Sequence, residues 1–140
     1  MTNLFLFGTL CWPPLLKRVA GQTCPQVETA VLDGFRVTCA KGHSFPAIYE
    51  AVNEKAKGLL LRDCDEHVLL NLDHYESGFG YQLRPINLQT PHGLISAKVY
   101  LPPQGIEPGG PWILKNWERE HGQLALEAAL EVMAVQGKMY

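Results

Sequence analysis

The sequence predicts an α+β domain in which a mixed, strongly curved sheet forms a small barrel-like core with a few flanking helices. Three observations lead there. Six or more short β-compatible runs recur along the chain, Gly, Pro and Asp-Gly turn signals separate them, and helical patterning is confined to a few segments. Many short strands with few helices favour a curled sheet over a doubly wound one. At 140 residues the chain is long enough to bury its own core, and it reads as a single domain over 1–140.

The first element is the apolar run Leu4-Phe5-Leu6-Phe7, a buried strand that breaks into a turn at Gly8. Pro13-Pro14 followed by Leu15, Leu16 and Val19 reads as a short helix with proline in its first turn and Gly21 beyond its end. Val27–Leu32 and Phe35–Cys39 are strand candidates flanking Asp33-Gly34, a strong turn signal. Phe45–Val52 and Ala56–Arg62 follow as two further strands.

From Asp65, a plausible N-cap, Val68, Leu69, Leu72 and Tyr75 fall near one helical face, and Ser77-Gly78 stops the helix. Tyr81–Leu88 and Gly93–Leu101 are strands joined by a hairpin turn at Pro91-His92-Gly93. Pro46 and Pro85 confine their strands locally to edge or bulge positions. The stretch from Pro102-Pro103 to Pro108-Gly109-Gly110-Pro111 is expected to be a rigid, irregular loop. It leads to a last helix whose apolar face includes Trp112, Trp117, Leu124, Ala128, Val132 and Met133, with Gly122 a candidate kink.

Composition excludes several function classes. A net charge of −2 with scattered basic residues offers no nucleic-acid footprint. No apolar run reaches membrane-spanning length, and the first residues lack a signal-peptide pattern, so the expectation is a cytoplasmic protein without a membrane partner. Cys11, Cys24, Cys39 and Cys64 form no Cys-x-x-Cys, and the five histidines show no metal-ligand spacing. Free thiols and no metal site are therefore expected. Oligomeric state is not legible.

Two segments carry candidate chemistry. In Phe7-Gly8-Thr9-Leu10, Gly8 lets the backbone bend and permits close approach, and the amides of Thr9 and Leu10 can point into one space. Such a loop suits an oxygen that bears or develops negative charge. Glu76 sits at the end of the Asp65 helix, where the macrodipole disfavours a carboxylate, and no Lys or Arg adjoins it. It is either a solvated surface acid or a general base whose pKa is raised by the dipole and partial burial. Cys11 follows the Gly8 loop and is a formal nucleophile candidate, but no histidine lies near it in sequence.

With both segments in place, the chain resembles the γ-glutamylcyclotransferase-like family. Phe7-Gly8-Thr9-Leu10 matches the family's N-terminal Tyr-Gly-Ser/Thr-Leu, with Phe7 lacking the commoner tyrosine's hydroxyl. Leu72-Asp73-His74-Tyr75-Glu76, then Tyr81 and Arg84, match its mid-chain Leu-Asp-x-x-Glu followed by Tyr and Arg. Val99-Tyr100 and Pro111-Trp112 also fit, so the likeness runs from Leu4 to about Met133. Phe45-Pro46-Ala47, Gly78-Phe79-Gly80-Tyr81 and the Trp-rich end are similar to cyclotransferase-like domains found joined to Nudix hydrolases.

The resemblance implies a small mixed barrel with a pocket at its mouth. It implies that Glu76 is the acid–base group, and that Phe7, Gly8, Thr9, Leu10, Tyr81 and Tyr100 bind a small γ-glutamyl substrate. The implied reaction is cofactor-independent intramolecular acyl transfer giving 5-oxoproline and a free amine or amino acid. A non-catalytic ligand-binding or regulatory domain is the alternative.

Overall fold

The computed structural model describes residues 2–21, 26–43, 45–77, 80–103 and 105–139, with the side chains of 77 and 132–139 excepted. Its elements are β1 (Thr2–Leu6), a 3-10 turn (Thr9–Cys11), α1 (Pro13–Ala20), β2 (Val27–Ala40), β3 (Pro46–Cys64), α2 (Glu66–Ser77), β4 (Gln82–Thr90), β5 (Gly93–Leu101), β6 (Pro108–Pro111) and α3 (Leu114–Met139). The sheet runs β3-β1-β5-β4-β2-β6, and the further pairing of β2 with β3 closes the first five strands into a barrel. Among the described residues, β1 and β5 pair in parallel and the other pairings are antiparallel. The predicted mixed, curved barrel with flanking helices is what forms.

Local chemistry explains the helix ends. Pro13 opens α1, and Gly21, at φ 90°, follows its last residue and donates its amide to Lys17. The Asp65 carboxylate accepts the Val68 amide at 2.9 Å, as an N-cap should. At the β4–β5 turn, the Thr90 hydroxyl donates to Gly93 O at 2.8 Å and accepts the His92 amide. Pro46 is the first residue of β3, and β4 meets β2 only at Gln89, away from Pro85. Both prolines thus avoid a two-sided ladder.

Four expectations need correction. Asp33-Gly34 is not a hairpin turn: β2 runs through it, and the chain reverses between Ala40 and Pro46 instead. The two strands predicted over 45–62 are one element, β3. The ladder shifts between Asp33↔Lys55 and Phe35↔Glu50, with Gly34 at φ 81° and Asn53 at φ 66°. The Asp-Gly signal reports a residue suited to positive φ, and a bulge uses that as readily as a turn does. Pro108–Pro111, expected as irregular loop, is the short strand β6, pairing through Thr38↔Pro111 and Ala40↔Pro108.

The fourth correction concerns the last helix, which begins at Leu114 rather than Trp112 and continues unbroken past Gly122. Leu124 and Ala128, expected on its apolar face, are exposed, and Ala125, Leu126 and Ala129 pack against the core instead. A Cβ at Gly122 would come within 3.0 Å of the Trp12 ring, so the missing side chain makes room for packing. Trp12 and Trp112 then meet Trp117 at centroid distances of 6.0 and 6.4 Å. Gly78 lies outside the described residues.

Two apolar clusters flank the barrel wall. Phe5, Leu32, Ile48, Leu60, Leu88 and Val99 fill one. Leu4, Leu6, Leu15, Val68, Leu72 and Trp117 fill the other, between wall and helices. Period-2 alternation along β1 sends Leu4 and Leu6 to the helix side and Phe5 to the other. Packing on the wall fixes α2, and hence Glu76, near the end of β1.

Candidate functional site

The end of β1, the following turn and the end of α2 converge on one narrow cavity of about 30 Å³. Its walls include all seven residues singled out from sequence: Phe7, Gly8, Thr9, Leu10, Glu76, Tyr81 and Tyr100. Sequence reasoning did not assign Phe5, Leu6, Phe45 and Pro46 to the site, although they line it too. Phe5 and Leu6 were legible as strand residues. Pro46 had no sequence signal for this role, because its approach depends on how β3 starts.

Gly8 is required by that approach. A Cβ there would stand 2.7 Å from Pro46 Cγ, closer than carbon atoms tolerate. In the turn that follows, Cys11 N is the first amide to close a bond, to Gly8 O at 2.9 Å. The amides of Thr9 and Leu10 precede that bond and have no partner within the turn. The Thr9 side chain is hydrogen-bonded to Tyr75, which joins the turn to α2.

Glu76 lies on the last turn of α2 and is half-buried. Desolvation, and secondarily the Asp73 charge one turn earlier, push its carboxyl up from 4.5 to about 8. The helix C-terminus opposes its ionised form in the same direction. Among the described residues no Lys, Arg or His lines the cavity to reverse that effect.

Tyrosines hold the surroundings. The Tyr81 hydroxyl donates to Pro46 O, and the Tyr100 hydroxyl donates to Asp73 Oδ1. Burial raises both phenols above their ordinary value, followed by the Glu76 charge at Tyr81 and by the Asp73 hydrogen bond and charge at Tyr100. Among the described residues no three His, Cys, Asp or Glu side chains come together to hold a metal ion, and no helix is long and apolar enough to cross a membrane.

Cys11 is placed elsewhere. It lines a separate, open groove with Lys57, Leu59 and Trp112, and its thiol donates to Leu6 O at 3.2 Å. Burial pushes that thiol up to about 12. Among the described residues, Cys11 and Cys39 are free thiols; Cys24 lies outside the described residues.

A barrel with such a cavity defines a class of protein, and residues 4–119 match the family model described as gamma-glutamyl cyclotransferase, AIG2-like. The chain belongs to that family. It is 26% identical over 136 residues to AIG2-like protein B of Arabidopsis thaliana, covering 94% of this chain and 77% of that protein. A solution structure of an Arabidopsis thaliana protein aligns with a TM-score of 0.68 and 23% identity, over 96% of this chain and 92% of the other. A gamma-glutamyl cyclotransferase structure aligns at 0.66 and 17% identity, over 95% and 86% of the two chains. An AIG2-like protein from Mus musculus aligns at 0.64 and 19%, over 87% and 92%. At these identities the structural likenesses establish the fold alone.

Proposed function

We propose that the protein is a γ-glutamylcyclotransferase that converts a γ-glutamyl amide into 5-oxoproline and a free amine or amino acid, with Glu76 as its acid–base group. The observation that carries this reading is the placement of Glu76. A carboxyl with raised proton affinity faces the Gly8–Leu10 turn across a narrow, largely apolar cavity.

The substrate contains its own nucleophile. Its α-amino nitrogen attacks the γ-carbonyl carbon, a new C–N bond closes a five-membered ring, and the old amide C–N bond breaks. The α-ammonium must lose a proton and the departing amine must gain one. A single carboxyl that takes the first and returns the second balances the reaction without water or a cofactor. The substrate itself supplies proximity, so the protein has chiefly to hold it folded. The amides of Thr9 and Leu10, which have no partner within the turn, suit the α-carboxylate or the developing oxyanion.

The test is release of 5-oxoproline, measured by mass, from a panel of γ-glutamyl amino acids and γ-glutamylamines. Glu76→Gln keeps the shape of the side chain and removes its proton chemistry, so turnover falls by about a hundredfold to ten-thousandfold with the fold intact. Near wild-type turnover in Glu76→Gln overturns the assignment. Binding without turnover across the panel in the wild-type protein favours a ligand-binding domain.

A further inference from the structure

Asp73 stands three residues before Glu76 on α2, which brings the two side chains to neighbouring positions on one helical face. Like charges at this spacing repel, and nothing in helix formation calls for the pairing. Asp73 is nonetheless held in place. Tyr100, at the end of β5 and only 5% exposed, reaches out of the core and donates its hydroxyl to Asp73 Oδ1. The same tyrosine lines the cavity beside Glu76. A buried phenol is thus committed to an exposed carboxylate, although water could have solvated that carboxylate equally well.

We propose that Asp73 is a positioning residue for Glu76: clamped by Tyr100, it fixes the last turn of α2 against the barrel and keeps a negative charge beside the Glu76 carboxyl. This rests on Glu76 as the acid–base group and adds the means by which its proton affinity is set. The titratable groups facing Glu76 are Asp73 and Tyr75 from α2, Tyr81 before β4, and Tyr100 from β5. Asp73 is the carboxylate among them, and it adds to the effect of burial on Glu76. Because Asp73 is exposed, its influence reaches Glu76 partly through solvent and is open to screening by salt. A purely structural clamp has no such dependence.

The experiment is the titration of the Glu76 carboxyl carbon by NMR, at low and high ionic strength, in wild type, Asp73→Asn and Tyr100→Phe. Asp73→Asn retains an oxygen acceptor for Tyr100 and removes the charge. Its Glu76 midpoint is expected to move to lower pH, still above the ordinary glutamate value because burial remains. Added salt lowers the wild-type midpoint and has little effect in Asp73→Asn. Tyr100→Phe keeps the charge but frees it; kcat falls about tenfold with a smaller change in KM, as expected for lost alignment.

An unchanged Glu76 midpoint in Asp73→Asn, or a wild-type midpoint indifferent to salt, overturns the proposal. The salt titration needs no variant, so an indifferent wild-type midpoint overturns the proposal even if a substitution impairs folding. The NMR readout needs no turnover. Failure of the cyclotransferase reading appears instead as an active Glu76→Gln, whatever the titration shows.

Discussion

Glu28 and Glu76 are both half-buried glutamates attached to the same barrel, and their surroundings are opposite. On the wall, Glu28 Oε1 accepts a hydrogen bond from Arg62 Nε at 2.6 Å and forms an ion pair with Nη2 at the same distance, tying the start of β2 to β3. In the cavity, Glu76 meets tyrosine rings, a helix C-terminus and Asp73. One carboxylate is compensated where the chain must hold together. The other is left uncompensated where proton transfer is proposed. Ordinary design rules hold on the wall and are broken at the cavity, which is where a departure from them carries functional meaning.

The largest test of this contrast replaces each glutamate by glutamine. Glu76→Gln loses turnover by the factor given above, whereas Glu28→Gln keeps it within about twofold, since it changes a pair remote from the proton path. Stability moves the other way. The native state holds the Glu76 proton up to about pH 8, while the unfolded chain releases it near the ordinary value, 4.5. Between those limits the native state binds more protons, so wild-type stability falls as pH rises through the window.

Glu76→Gln removes that dependence and stabilises the protein above pH 8. The gain is about 1–2 kcal/mol, less than the full shift would give because Glu76 retains solvent contact. Glu28→Gln destabilises by about 1 kcal/mol by weakening a charge-assisted contact. Urea unfolding of both variants from about pH 5 to about pH 9 checks the signs. If Glu76→Gln is destabilised at high pH as much as Glu28→Gln, Glu76 is a structural residue.

Two glycines sharpen the same comparison at smaller scale. Gly34 on the wall has φ 81° and open space around it, so Gly34→Ala brings backbone strain without a clash. A loss of about 1 kcal/mol with unchanged turnover is expected. Gly8 at the cavity has no such space, and Gly8→Ala drives a Cβ into Pro46. Pro46 O also accepts the Tyr81 hydroxyl, so its displacement disturbs the cavity from two sides. Turnover is expected to fall about tenfold through misalignment. Thermal melts alongside 5-oxoproline release separate the two effects; equal loss of turnover in both variants removes the distinction between wall and cavity.

The sequence revealed the cavity more completely than the wall. Glu76 broke a local preference as an acid at a helix C-terminus, the Gly8 turn after a buried strand offered a loop of close approach, and a resemblance linked them. The β2–β3 ribbon was misread because its signals are local and its register is not. Asp33-Gly34 can serve a turn or a bulge, and only the pairing of Asp33 with Lys55 and Phe35 with Glu50 decides between them. The strand Pro108–Pro111 was illegible for a related reason. Prolines and glycines carry no β signal, and only the neighbouring edge of β2 makes them a strand. Pro46 and Phe45 in the cavity wall depend on that ribbon, and so escaped with it.

The smallest expected effect concerns Cys11, which lies close to the Gly8 turn in sequence and differs from Glu76 in what its surroundings do to its reactivity. Burial raises the proton affinity of both groups. For a carboxyl this moves a group that is ionised at neutral pH into the range where it can exchange protons. For a thiol it moves an already protonated group further from its reactive form. With the thiol pushed up to about 12, only about one molecule in a hundred thousand carries the thiolate at neutral pH. Its hydrogen bond to Leu6 O is that of a donor retaining its proton, and it lines the groove outside the cavity. Cys11→Ser therefore keeps turnover within about twofold, and Cys11→Ala adds a packing loss of about 1 kcal/mol in a thermal melt. A loss of turnover matching Glu76→Gln, in a folded Cys11→Ser protein, would instead make the thiol the reacting group and return Glu76 to a supporting role.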